Sequence, residues 1–207
     1  MADLAYRTIR DRLVMLDIRP GMPINEEQLA ASLATGRTPV REALKRLEHE
    51  RLVVAYPRRG TFATEVNITD LAHISEVREH LEPMAAARAA RQATVTERSS
   101  LAALATGLLS EQTSAMPADA LMRLDLRVHR ALYAATHNPF LEDTLVRYDN
   151  LATRIWCLFL DQLSGMAGHV GEHGPLLRAV VHGDGEAAAR LATEHVVRFE
   201  EEVRALI

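Results

Sequence analysis

The chain has 207 residues, 48% of them hydrophobic but only 4% aromatic, with 24 Lys+Arg against 28 Asp+Glu and a single cysteine. That length suits one or two domains with cores of their own, and the scarcity of aromatics makes those cores of Leu, Ala and Val, which favours helices. The lone Cys157 excludes an internal disulfide, no apolar run is long enough to span a bilayer, and the N-terminus has no signal-peptide pattern, so a cytoplasmic protein without a membrane partner is expected. The net charge of −4 is unevenly spread: residues 1–66 hold eleven Lys+Arg against nine Asp+Glu, the remainder thirteen against nineteen.

Residues 3–16 are predicted as a first helix with Leu4, Ile9, Leu13 and Leu16 toward the core. Ile18-Arg19-Pro20-Gly21 reads as a turn and residues 22–24 as a short strand. A second helix opens at Asn25, a capping residue with Gln28 three positions on. A few residues later comes Gly36-Arg37-Thr38-Pro39-Val40-Arg41-Glu42-Ala43-Leu44-Lys45-Arg46-Leu47. Pro39 suits the first position of a helix, where its missing N–H has no helical partner. Val40, Leu44 and Leu47 make one apolar stripe, and Arg37, Arg41 and Lys45 recur four apart on another face. Such a helix is either a plain solvated amphipathic helix or one built to lie between a core and a phosphate-rich surface. Its neighbours favour the second reading. Two helices joined by a tight turn, then strands at 52–56 and 61–66 around Pro57-Arg58-Arg59-Gly60, make a winged helix-turn-helix with arginines at the wing. The resulting cationic patch is hidden by the overall net charge.

Beyond a short connection, Asn67-Ile68-Thr69 with Thr69 as the expected cap, every segment reads as helix. Helices are predicted from 70 to about 92, from the Thr94-Val95-Thr96-Glu97 capping box, from Met116-Pro117-Ala118-Asp119 to His137-Asn138-Pro139, from 140 to about 163, and from about 170 to 182. The last follows Gly183-Asp184-Gly185 and covers 186–207. The expected architecture is mostly α: a winged helix-turn-helix with a small β-wing over 1–66, a linker at 67–69, and an antiparallel bundle of six to seven helices over 70–207. Trp156-Cys157-Leu158-Phe159-Leu160 is apolar all round its helix, which fits deep burial or a dimer contact.

Four polar side chains stand on apolar stripes of this bundle. Asp125 and His129 stack one turn apart between Leu121 and Leu132; His173 lies between Val170 and Leu177; His195 lies four residues from both Leu191 and Phe199. Left without partners, buried groups of this kind would cost about 1–3 kcal/mol each. A hydrogen-bonded core cluster resolves that cost, and so does a shared divalent metal, for which one Asp and three His are a sound ligand set. His49, His73, His80, His137, His169 and His182 read as solvated or capping, with His169 a reserve ligand. Gly165, Gly168, Gly171 and Gly174 read as a flexible approach to His173. Arg78 is either an i,i+4 partner of Glu82 or a guanidinium that grips a carboxylate. Asn150 and Arg154, one turn apart, read as a solvated face or as further contacts to such a ligand.

Pro20-Gly21, Asn25-Glu26-Glu27-Gln28-Leu29-Ala30, Arg37-Thr38-Pro39-Val40-Arg41-Glu42-Ala43-Leu44 and Arg59-Gly60 together resemble the DNA-binding domain of GntR-type bacterial regulators. Asp125-Leu126-Arg127-Val128-His129-Arg130-Ala131-Leu132-Tyr133, then Asn138-Pro139, Glu172-His173 and His195, resemble the FCD ligand-binding domain of the FadR branch of that family. The resemblance implies a dimeric, metabolite-responsive transcriptional repressor, not an enzyme, bound to a pseudo-palindromic double-stranded operator. It implies DNA contacts from Arg37, Thr38, Arg41 and Lys45 on the recognition helix and from Arg58, Arg59 and Gly60 on the wing. It implies a divalent transition metal on Asp125, His129, His173 and His195, zinc first, with nickel, manganese or iron as alternatives. A small carboxylate metabolite would bind there, with Arg78, Asn150 and Arg154 about it. Two other readings stand beside this one: a metal-responsive regulator with no organic effector, and a metal-dependent enzyme, for which no general base is evident. The chain departs from the family pattern with Ala34 and Arg51 where glycines are usual and Gly36 where Ser or Thr caps the recognition helix. Gly174-Pro175, in place of ordinary helix formers, puts His173 at an expected helix break.

Overall fold

The computed structural model describes residues 1–162 and 165–206, which divide into two units, Met1–Ile68 and the part from Thr69 onward. In the first unit, helix α1 (Ala2–Val14) buries Ala5, Ile9, Leu13 and Val14. Ile9 and Leu13 lie on the core face as expected, but Leu4 is 54% exposed, and Leu16 lies beyond the helix end in a left-handed conformation, φ 59°. Leu4 sits about 100° round the helix from the Ala5–Ile9–Leu13 line and so misses the core. Helix α2 (Glu26–Ser32) starts where Asn25 predicts, the Asn25 carboxamide oxygen accepting from the Glu27 and Gln28 N–H groups at 3.0 and 2.9 Å. Helix α3 (Arg37–His49) buries Val40, Ala43, Leu44 and Leu47. It begins two residues before the predicted start, which makes Pro39 its third residue; the N–H groups of the whole first turn lack helical partners, so proline fits there too. Gly36 is the N-cap and supplies no side-chain bond.

Both departures from glycine fall where the backbone is left-handed. Ala34 follows α2 with φ 48°, and Arg51 follows α3 with φ 62°. At each, the next residue donates back to the helix, Thr35 N to Ala30 O and Leu52 N to Leu47 O, both at 3.0 Å. This is the helix-ending motif that glycine usually closes. Strands β1 (Val53–Tyr56) and β2 (Gly60–Ala63) pair antiparallel with Val53 opposite Ala63. Their turn places Pro57 second and Arg58, φ 63°, third, with Arg59 N donating to Tyr56 O at 3.1 Å, as in a type II turn. The strand expected at 22–24 shrinks to a single bridge between Pro23 and Phe62, held by Ile24 N to Thr61 O at 2.8 Å and Ala63 N to Met22 O at 2.9 Å, so that proline sits where the ladder needs no N–H.

The second unit is a bundle of α4 (Leu71–Gln92), α5 (Val95–Leu108), a single turn α6 (Glu111–Ser114), α7 (Ala118–Ala134), α8 (Pro139–Cys157), α9 (Met166–His182) and α10 (Gly185–Arg204). Helix α4 lies along α10, α5 against α9, and α7 against α8 and α9. A 3-10 turn, Ile68–Asp70, leads into α4, and the cap expected from Thr69 is not the one used. The predicted box is formed: Thr94 Oγ1 accepts from Glu97 N at 3.3 Å, and the Glu97 carboxylate accepts from Thr94 N at 2.8 Å. Helix α8 ends at Cys157 and a 3-10 turn, Leu160–Gln162, follows; the predicted end near Leu163 lies outside the described residues. In the apolar run 156–160 that straddles its end, Trp156 is buried while Leu158 is 40% exposed.

Helix α9 corrects two expectations. It runs through Pro175 unbroken, so His173 sits within regular helix. Pro175 is exposed, which leaves the carbonyl that loses its donor open to water. Its glycines lie within or just before the helix rather than in a flexible approach, and a Cβ on Gly174 would come within 3.1 Å of Leu109.

Candidate functional site

Three helices bring the four predicted polar residues to one buried cluster. Asp125 and His129 project from α7, His173 from α9 and His195 from α10, all of them buried, with one donor atom from each lying within 4.8 Å of every other. Asp125 Oδ1 is 2.7 Å from His173 Nε2, and Oδ2 is 3.6 Å from His129 Nε2. Two of the three rings have a partner at Nδ1, whereas His173 Nδ1 is buried without one among the described residues. His129 Nδ1 is 2.9 Å from the Tyr133 hydroxyl, and His195 Nδ1 is 3.1 Å from Glu172 Oε2, while Glu172 also pairs with Arg198. Such bonds fix which ring nitrogen faces inward. His195 Nε2 is buried and has no hydrogen-bond partner among the described residues.

Electrostatics suits the same reading. Burial depresses the His129 imidazole to about 3, and it also lowers His169 and His195, so these rings are neutral and have lone pairs to give. Burial would push the Asp125 carboxyl up, but His129, His173 and His169 around it hold it well below the usual range, so it is ionised. A neutral imidazole and an ionised carboxylate are the forms a metal ion binds. The orphaned Nε2 and this donor set fit a divalent transition metal.

Around the cluster lies a second layer of charge that the sequence had shown only in part. Arg78 on α4 is buried; its Nε donates to Glu82 Oε1 at 2.5 Å and its Nη2 lies 3.5 Å from Asp149 Oδ1. It is therefore already held by two carboxylates rather than presenting an open fork. Burial pushes the Asp149 carboxyl up to about 7, with Arg78 opposing and Asp125 and Glu82 adding to the rise. Asn150 and Arg154 are 1% and 2% exposed, which overturns the solvated face expected for them. Asn150 Oδ1 accepts from Arg130 Nη2 at 3.3 Å, and its Nδ2 has no protein hydrogen-bond partner. Helix α8 faces the core more fully than its mixed sequence suggests because α4 and α7 both pack on it. His169, expected to be solvated, is 2% exposed and packs on Trp156 with ring centres 4.0 Å apart. Its position four before His173 was the available signal, since i and i+4 share a helix face. The histidines at 49, 73, 80, 137 and 182 are exposed, as expected. Nothing in the local pattern marked Asp149.

On the first unit, Arg37, Thr38, Arg41 and Lys45 are all exposed on α3, and Arg58, Arg59 and Gly60 are exposed at the wing. Arg37 and Gly60 line one cleft, so the start of α3 and the wing share a face. Two of the arginines are engaged by α2: Arg37 Nη2 with Glu27 Oε1 at 2.6 Å and Arg41 Nε with Glu26 Oε2 at 2.7 Å. These pairs are solvent-exposed and weak, so another anion can displace them.

Residues 2–63 match the family described as bacterial regulatory proteins, gntR family, and residues 73–198 match the FCD domain. The chain is a GntR-family transcriptional regulator with an FCD domain. This regulator is similar to the HTH-type transcriptional repressor RspR of Escherichia coli (strain K12), 26% identical over 202 residues that span 96% of this chain and 87% of that one. It is similar also to the galactonate operon transcriptional repressor of the same organism, 28% identical over 194 residues, 84% of this chain and 83% of that one. Its fold is that of E. coli McbR/YncC, TM-score 0.84 at 20% identity, covering 99% of this chain and 97% of that one. Among the described residues, no helix is long and apolar enough to cross a membrane.

Proposed function

We propose that this regulator is a cytoplasmic repressor that binds a pseudo-palindromic operator as a twofold dimer, and that a metal in the bundle anchors a small organic acid which changes its operator affinity. The observation that carries the reading is the convergence of Asp125, His129, His173 and His195 on one buried point with His195 Nε2 unpartnered. Those four residues would hold the ion, zinc or another divalent transition metal, and the ion would supply a Lewis-acid position for a carboxylate oxygen. Tyr133 and Glu172 orient His129 and His195 toward it.

On the DNA side, α3 enters the major groove. Arg37 and Arg41 exchange Glu27 and Glu26 for guanine edges, Thr38 and Lys45 meet phosphate, and Arg58, Arg59 and Gly60 reach the backbone beside the groove. One such helix reads too few bases for useful discrimination, which is why the reading requires two copies. The acid's carboxylate meets the metal, and its other end meets Asn150, whose buried Nδ2 has no hydrogen-bond partner among the described residues; Arg154 and the already paired Arg78 shape the surrounding charge. Coupling between acid and operator of about 1–3 kcal/mol changes DNA affinity several-fold or more.

The test is fluorescence anisotropy on a duplex selected from a random pool, with and without metal, across a panel of dicarboxylates, hydroxy acids and sugar acids, the last prompted by the galactonate operon of one relative. A hit should shift operator affinity only in metal-loaded protein and raise thermal stability as RT ln(1 + [L]/Kd). An operator affinity that answers to metal alone would favour a metal-responsive regulator with no organic effector.

A further inference from the structure

Among the described residues, His169 is the buried histidine that the compact four-donor set leaves out. It lies on α9 one turn before His173, so both rings project from one face. Its Nε2 is 3.7 Å from Asp125 Oδ1, the oxygen that His173 Nε2 also approaches. Its ring centre is 4.4 Å from that of His195 and 6.2 Å from that of His173. Its Nδ1 is buried and meets no protein hydrogen-bond partner. A desolvated imidazole left uncompensated in this way needs an explanation. With Glu172 and His195 it also forms a second set of donors within 4.8 Å of one another, so His195 belongs to both sets.

We propose, building on the metal-centre reading above, that His169 is a fifth protein donor to the same ion. His169 stands just outside the compact set, so its ring must swing toward Asp125 to bind, and no hydrogen bond at Nδ1 holds it back. Four imidazoles and Asp125 then fill five positions. An ion that accepts six ligands keeps a single open position, so an incoming acid is held through one carboxylate oxygen, not chelated through two. An ion satisfied by four ligands, as zinc commonly is, has little use for His169. His169 thus biases the centre toward ions of higher coordination number.

The experiment uses the full chain stripped with a chelator and reloaded with Ni²⁺ or Zn²⁺. X-ray absorption at the nickel edge of the wild-type protein should count four imidazoles. In calorimetric titrations, His169→Leu should weaken Ni²⁺ by about tenfold or more while leaving Zn²⁺ within about threefold. Three imidazoles on nickel, or unchanged Ni²⁺ affinity in a folded His169→Leu, would overturn the fifth bond and leave the four-residue centre standing. Failure of the wild-type protein to bind either ion would overturn both. If His169→Leu does not fold, the imidazole count on the wild-type protein decides alone.

Discussion

Arg78 offers the sharpest distinction between a residue held for structure and one held for a ligand. Arg78, Glu82 and Asp149 form a charge cluster in which no side chain is more than 3% exposed, with Nε–Oε1 at 2.5 Å and Nη2–Oδ1 at 3.5 Å. Arg78→Leu would leave the Glu82 and Asp149 carboxylates buried without the guanidinium that pairs with both. Breaking a buried pair from one side costs about 3–5 kcal/mol. The lower end applies here, because Asp149, already pushed up to about 7, can take a proton and so avoid part of the cost. About 3 kcal/mol is a large share of a typical total of roughly 5–15 kcal/mol. The double variant Arg78→Met/Glu82→Leu removes both charges of the short pair and should recover about 2 kcal/mol of that loss. Urea unfolding followed through Trp156, the only tryptophan in the chain and 1% exposed in the same unit, reads both numbers. An Arg78→Leu protein within about 0.5 kcal/mol of wild type, at unchanged m-value, would show that the pairing is not structural and would return Arg78 to the role of an open grip for the acid.

Ala34→Gly and Arg51→Gly should each stabilise the first unit by about 0.5–1 kcal/mol: relief of a left-handed conformation costing roughly 1–2 kcal/mol, less the greater entropy of glycine in the unfolded chain. Circular-dichroism melts showing either variant less stable than wild type would contradict the turn geometry. Arg41→Ala should cost about 1–3 kcal/mol on the selected operator and relax its sequence preference, whereas Lys45→Ala should weaken all duplexes alike and flatten the salt slope by about one; an unchanged ratio of operator to random-duplex affinity in Arg41→Ala would remove the groove assignment. The metal-free protein should lose stability in acid. His129, His169 and His195 are depressed below 6.5 by burial, so the unfolded chain binds the extra protons and their contribution, full above 6.5, is lost as pH falls toward about 3. Asp149, raised from 3.8 to about 7, contributes in the opposite sense, with stability that fades as pH rises through 7, but it is one group against three. Calorimetry on chelated protein should therefore give a lower Tm at pH 5 than at pH 7, and an equal or higher Tm at pH 5 would contradict the burial of these rings.

The fold was largely legible because periodicity and capping are local. Asn25, Thr94 with Glu97, and the Val40–Leu44–Leu47 stripe mark elements through contacts within a few residues, and those elements form. The four donors were legible for a related reason: a polar residue on an apolar stripe is visible without knowing what lies opposite. What the sequence could not show depends on partners far away in the chain. Asp149 and Asn150 are buried because α4 and α7 cover α8, and Arg78 changes from a surface pair to a buried one on the same account. Helix α9 continues through Pro175 because that residue faces solvent, whereas the sequence allowed only a probable break to be inferred from proline itself. His169 was misplaced for a simpler reason, since its i+4 relation to His173 was there to be used.

The central claim is that Asp125, His129, His173 and His195 hold one metal ion. Isothermal titration of chelator-stripped full-length protein with Zn²⁺ or Ni²⁺, repeated on His129→Ala, tests it most directly. The expected result is one ion per chain in the wild-type protein and loss of that binding in the variant. Absence of stoichiometric binding by the wild-type protein, or undiminished binding by a folded His129→Ala, would contradict the claim and leave the four residues as a hydrogen-bonded core cluster.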